Sequence, residues 1–244
     1  MIRNFLLAIV VCILPVTLLV AQQNLHTGWL ASFNTFSLSN KWSVHLDVQL
    51  RSTDELSQVQ TLLFRTGINY HLNKKQVLTA GYAYIPNRYV SGDNNELLAE
   101  HRLWQQFIQL QPVNKLSIQH RFRFEERFIP KPAVDNEGLY ADEYLFATRF
   151  RYFVRSVIPL TRQTGSFEKG MFTALQNELF LNATHLDVVN GKTFDQNRLY
   201  LALGYRLVKQ FDIEAGYMWQ FVERKEGLGT TNNNIAQLAL YWRK

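Results

Sequence analysis

After position 27 the chain alternates apolar and polar residues, in runs of about ten to fourteen, through to its end. Trp42, Val44, Leu46, Val48 and Leu50, set against Ser43, His45, Asp47, Gln49 and Arg51, show the pattern. A period of two belongs to a strand, whose successive side chains point to opposite faces. Each run therefore builds one greasy face and one face of charges and amides. A sheet made of such runs suits a barrel set between lipid and water.

Eleven strands are predicted, over 28–37, 41–51, 59–71, 76–88, 98–111, 115–128, 143–155, 170–182, 196–208, 211–224 and 232–243. At about 3.3 Å per residue and a tilt near 40°, such strands cover the roughly 25 Å apolar band of an outer membrane. The expected fold is all-β, an antiparallel up-and-down transmembrane β-barrel of about 10–12 strands. An odd count sits badly with the even numbers of bacterial single-chain barrels. Residues Gln22 to Thr27 are too few for a further full strand.

The connections are unequal. Short ones at Ser39 and Asn40, Leu72 to Lys75, Pro112 to Asn114, and Lys209 and Gln210 read as periplasmic turns. Longer polar links, Ser52 to Gln58, Tyr89 to Leu97, Ile129 to Asp142, Ala183 to Asp195 and Lys225 to Thr231, read as outer loops. The segment Ser156 to Lys169 falls where a short turn is expected and is too long for one.

The start of the chain carries Arg3, an apolar run from Phe5 to Val20 interrupted by Pro15, and Ala21 at a plausible cleavage point. Residues 1–21 read as a secretory signal peptide and 22–244 as a single barrel domain. Val11 before Cys12 speaks against lipid attachment, which asks for a small residue there. The one cysteine leaves with the signal, so the sheet itself must hold the mature chain together. The formal net charge of +6 is dispersed along strands and turns with no basic arm, which excludes a nucleic-acid partner.

Periodicity alone does not say which face is inside, since a soluble lipocalin-like barrel alternates equally well. The number and length of the strands, the asymmetric turns and the aromatics near strand ends favour the membrane reading. Trp29, Trp42, Tyr89, Tyr140, Tyr144, Trp219, Tyr241 and Trp242 fit interfacial girdles. With the greasy faces toward lipid, the candidate lumen charges are Arg51, Arg65, Arg121, Arg123, Glu125, Arg127, Arg149, Arg151, Glu178, Arg198, Arg206 and Glu214. The densest stretch, HRFRFEER from His120, puts Arg121, Arg123, Glu125 and Arg127 on one face, and their repulsion calls for carboxylates such as Glu178, Glu100 and Glu214. Such a lumen either closes on its own salt bridges or leaves a narrow anion-preferring path.

Catalytic constellations are weak. The histidines are scattered, no Gly-rich phosphate loop is present, and Ser117 and His120 on one strand point to opposite faces. No catalytic residue, metal site or cofactor is expected.

The chain resembles the domain-of-unknown-function 2490 family, outer-membrane barrels found largely in Bacteroidota. The resemblance rests on KWSVHLDVQLR from Lys41, EHRLWQQF from Glu100, HRFRFEER, RFRYFVR from Arg149, QNELFLN from Gln176, FDQNRLYLALGY from Phe194 and EAGYMWQF from Glu214. It implies an outer-membrane location and no activity. The expected function is a non-enzymatic, porin-like barrel, plugged or narrowly anion-preferring, with outer-membrane lipid and small anionic solutes as its surroundings and cargo. The alternatives are an assembly protein acting on a protein partner through its loops, and a lipid-modifying enzyme.

Overall fold

The computed structural model describes residues 22–113, 116–160 and 166–244. Eleven strands follow one another around a closed barrel: β1 (Gln22–Ser37), β2 (Trp42–Ser52), β3 (Val59–Asn73), β4 (Gln76–Ser91), β5 (Asn94–Val113), β6 (Leu116–Asp135), β7 (Gly138–Pro159), β8 (Gly170–Thr184), β9 (Phe194–Val208), β10 (Phe211–Glu223) and β11 (Thr230–Arg243). Each strand pairs antiparallel with the next, and β1 closes the ring against β11. The odd count makes that closing pair parallel, because the first and last strands of an odd meander run the same way. Gln22 pairs with Thr230 and Thr35 with Arg243, so Gln22 and Arg243 lie at opposite ends of the barrel. Residues Gln22 to Thr27 belong to β1, and the odd count is a property of the fold.

Exposed and buried positions alternate along the middle of most strands. On β9 Leu199, Leu201 and Leu203 face out while Arg198, Tyr200 and Ala202 are buried inside. On β6 and β7 Phe122 and Phe150 face out while Arg123 and Arg151 face in. Charges inside and leucines outside is the reverse of a soluble barrel and the arrangement of a transmembrane one. Of the aromatics assigned to girdles, Trp42, Tyr140, Tyr144, Trp219 and Trp242 are exposed on the outer face. Trp29, Tyr89 and Tyr241 instead line the interior, because they share the parity of the polar positions on their strands.

Two segments expected as loops are mostly strand. The hairpins close on the two-residue turns Gly92–Asp93 and Asn136–Glu137, with pairing kept up to Ser91–Asn94 and Asp135–Gly138. Gly92 takes φ 59°, a left-handed value that suits the first position of a two-residue hairpin turn. These polar stretches extend ladders past the apolar band, so nothing requires their outward residues to be greasy. That is why their strand character is hidden in the sequence. Longer connections remain at 53–58, 185–193 and 224–229, the first two with a short 3-10 turn at Asp54–Leu56 and Leu186–Val188. They share one end of the barrel, the loop end, with the two-residue turns at 92–93 and 136–137; the short connections at 38–41, 74–75 and 209–210 share the other, the turn end. Strand β7 absorbs Ser156 to Pro159; residues 1–21, expected as a signal peptide, and residues 161–165 fall outside the described residues.

Candidate functional site

Because strands deliver alternate residues inward, neighbouring strands in register bring their charges face to face. Glu125 sits directly across from Arg149, Arg123 across from Arg151, and Arg102 across from Arg127. Glu125 is the hub. Its carboxylate accepts from Arg149 Nη2 at 2.7 Å and Arg151 Nη1 at 2.5 Å, with Arg102 and Arg123 at 3.6 and 3.9 Å. Glu178 accepts from Arg121 and Arg151, each at 2.7 Å, and Glu100 from Arg102 and Arg127, each at 2.7 Å. Each carboxylate thus serves two or more guanidiniums, and several guanidiniums bridge two carboxylates. The planar fork of arginine allows this; a lysine would give one point charge in place of each bridge.

Outlying pairs continue the lattice: Arg65 with Asp47 and Arg149 with Asp195 at 2.7 Å, Arg155 with Glu214 at 2.5 Å. Toward the turn end Arg206 and Arg243 share Asp212, at 2.7 and 2.6 Å. Arg123 donates from Nε and Nη2 to Gln106 Oε1.

Aromatic rings form the second layer of the lumen. Trp104 lies under the Arg123 guanidinium, 4.5 Å from its centroid, and rests on Gly67 and Gly81, where a Cβ would meet the indole at 2.8 and 2.7 Å. Phe172 lies on Gly204, whose Cβ would be 2.2 Å from the ring. These glycines are dictated by space, not by turns. Phe180 lies beneath Arg151 and Arg198, at 4.4 and 4.7 Å, and Phe153 beneath Arg121 at 4.1 Å. The rings replace water over the faces of the guanidiniums and leave their N–H edges for carboxylates.

What remains open is a cavity of about 840 Å³. It is lined from Asn190 and Val222 near the loop end to His71 and Arg243 near the turn end, and on its wall arginines outnumber carboxylates. Among the described residues no cluster of His, Cys, Asp and Glu could hold a metal ion.

All twelve candidate lumen charges lie on the inner face, and Arg51, Arg65, Arg121, Arg123, Arg127, Arg149, Arg151, Glu178, Arg198 and Arg206 line the cavity. Glu125 and Glu214 are buried behind it in their ion pairs. Sequence reasoning passed over Arg102, Arg155, Asp195 and Asp212, and read Asp47 as polar without assigning it to the lumen. Arg102 shares the parity of Glu100, Arg155 that of Arg149, and Asp47 that of Arg51, so alternation could have found them. His120 meets the Tyr152 hydroxyl at 2.8 Å on the outer face, away from the lumen; the Ser117 side chain falls outside those described.

The chain is 25% identical to an uncharacterized protein of Methylorubrum extorquens over 198 residues, 81% of this chain and 78% of that one. Among solved structures it is similar to the NanC porin, with a TM-score of 0.49 and 10% identity over 88% of this chain and 97% of the other. Residues 26–232 match the family model described as Protein of unknown function (DUF2490), and the chain belongs to that family.

Proposed function

We propose that the protein is a non-enzymatic outer-membrane β-barrel whose arginine-lined lumen passes small anionic solutes along a narrow path. The outward belt of Leu, Phe and Tyr side chains supports the location, since such a surface is stable against acyl chains and costly against water. The observation that carries the function is the residual cavity, lined from near both ends of the barrel with guanidiniums in excess of carboxylates. A surplus of fixed positive charge along a confined path favours anions over cations.

The test is planar-bilayer recording of the refolded barrel, its folding verified by heat-modifiable migration, across a salt gradient. Discrete steps with a reversal potential displaced toward the anion side are expected. A second reading has its own observation: Arg123, Glu125 and Trp104 are each only 1% exposed, so the centre of the lumen is densely packed. Electrical silence from a verified barrel would replace the conducting reading with a lumen plugged by its own ion pairs.

A further inference from the structure

Two lumen arginines stand apart from the lattice. Among the described residues, every other arginine lining the cavity has a carboxylate oxygen within 4.0 Å, whereas Arg51 and Arg198 have none. The nearest candidate for Arg198 is Glu178, its cross-strand partner, but that carboxylate is taken by Arg121 and Arg151. Arg51 faces Trp29 on one neighbouring strand and Thr61 on the other, neither of them acidic. Both arginines are held by neutral groups: Arg51 donates to Gln49 Oε1 at 3.2 and 2.7 Å, and Arg198 Nη2 to Gln196 Oε1 at 3.2 Å. Arg198 is 8% exposed and its Nε is buried without a partner.

The two cations also share one ring. Their guanidinium carbons lie 4.0 Å and 4.9 Å from the centroid of the Trp29 indole, and all three side chains line the cavity. Two like charges confined beside one aromatic, with only amides to balance them, repel each other and lack a counterion. Their faces are spent on rings, but N–H edges remain. That combination is a poor structural device and a good receptor for an oxyanion, whose paired oxygens match a guanidinium fork better than a spherical halide does.

We propose that Arg51 and Arg198, arranged about Trp29, form an oxyanion-binding site on the lumen wall that takes the carboxylate or phosphate group of a small solute. The site rests on the reading of the lumen as reachable from solution, but not on conduction. It is tested by calorimetry on the refolded, heat-modifiable barrel in detergent, titrated with inorganic phosphate and with acetate at ionic strength held constant by chloride, while indole fluorescence is followed.

Saturable binding of phosphate or acetate in the presence of chloride is expected. Arg51→Gln and Arg198→Gln should each weaken it roughly ten-fold or more, the scale of losing one charge-assisted hydrogen bond. Trp29→Phe should abolish the fluorescence change and keep the calorimetric signal, because a ring remains beside both cations. Neither arginine variant removes a partner from a carboxylate, so both should migrate as folded barrels. Absence of binding to the folded protein, or binding undiminished in both arginine variants, would overturn the site. Binding by a barrel that is silent in bilayers would uphold it and refute the conducting reading alone.

Discussion

The lumen has two unlike walls. On the wall made by β5 to β8 every arginine is tied to a carboxylate, and Glu100, Glu125 and Glu178 each hold at least two. On the arc from β9 through β11 and β1 to β2, the loop-end half presents amides and hydroxyls instead, with Gln49, Gln196, Gln220, Gln237, Thr27 and Thr231 buried there. The difference is one of supply. Both walls carry arginine, but in the loop-end half of the second no carboxylate reaches Arg51 or Arg198, and Asp195 is spent on Arg149. The same residue therefore serves as mortar on one wall and as an unfilled receptor on the other.

The sharpest way to break the comparison is to remove the hub. Glu125→Gln would leave Arg102, Arg123, Arg149 and Arg151 around a neutral amide, with Arg149 and Arg151 keeping only their second partners Asp195 and Glu178. Breaking a buried ion pair by removing one partner costs about 3–5 kcal/mol, most of it the stranded charge. Urea unfolding followed by the loss of heat-modifiable migration should show a shift of that order. A midpoint equal to the parent's would mean the lattice is solvated and contributes little, and the two walls would be alike after all.

Much of this division was open to reading in the chain, and the part that was not has a physical cause. Alternation located all eleven strands and placed Arg121, Arg123, Glu125 and Arg127 on one face, because a period of two survives any register. It did not reveal the polar ends of β4 to β7, where strands leave the apolar band and lose their greasy phase. Nor did it place Trp29, Tyr89 and Tyr241, since an aromatic suits a membrane interface and a lumen wall equally well and only parity separates them. Pairing lay further out of reach. That Glu178 binds Arg151 and not its cross-strand neighbour Arg198, while both guanidiniums lie on Phe180, is settled by how the side chains meet in three dimensions, which no spacing in the sequence encodes.

On the second wall the expected sign reverses. Arg198→Met removes a buried cation with no carboxylate partner and puts an apolar chain against Phe180 and Trp29. Stability measured as for Glu125→Gln should be unchanged or raised by about 1 kcal/mol, because the desolvation cost of the charge goes with it. A loss as large as that of Glu125→Gln would show that Arg198 is satisfied within the fold and is not held ready for a ligand.

The smallest effect sharpens the reason for the other two. Lys131 on β6 and Glu143 on β7 are paired at 2.8 Å, close to the 2.7 Å of most lumen pairs, but both side chains are 52% exposed. If pairing by itself stabilised this barrel, Lys131→Ala would register beside Glu125→Gln. Water and salt screen an exposed pair, and ordering two long side chains offsets what attraction remains. Lys131→Ala should therefore leave the urea midpoint where it was at any ionic strength. A clear loss that disappears in high salt would show that surface pairing matters along the β6–β7 ladder, and that burial is not what sets the lumen's first wall apart from its second.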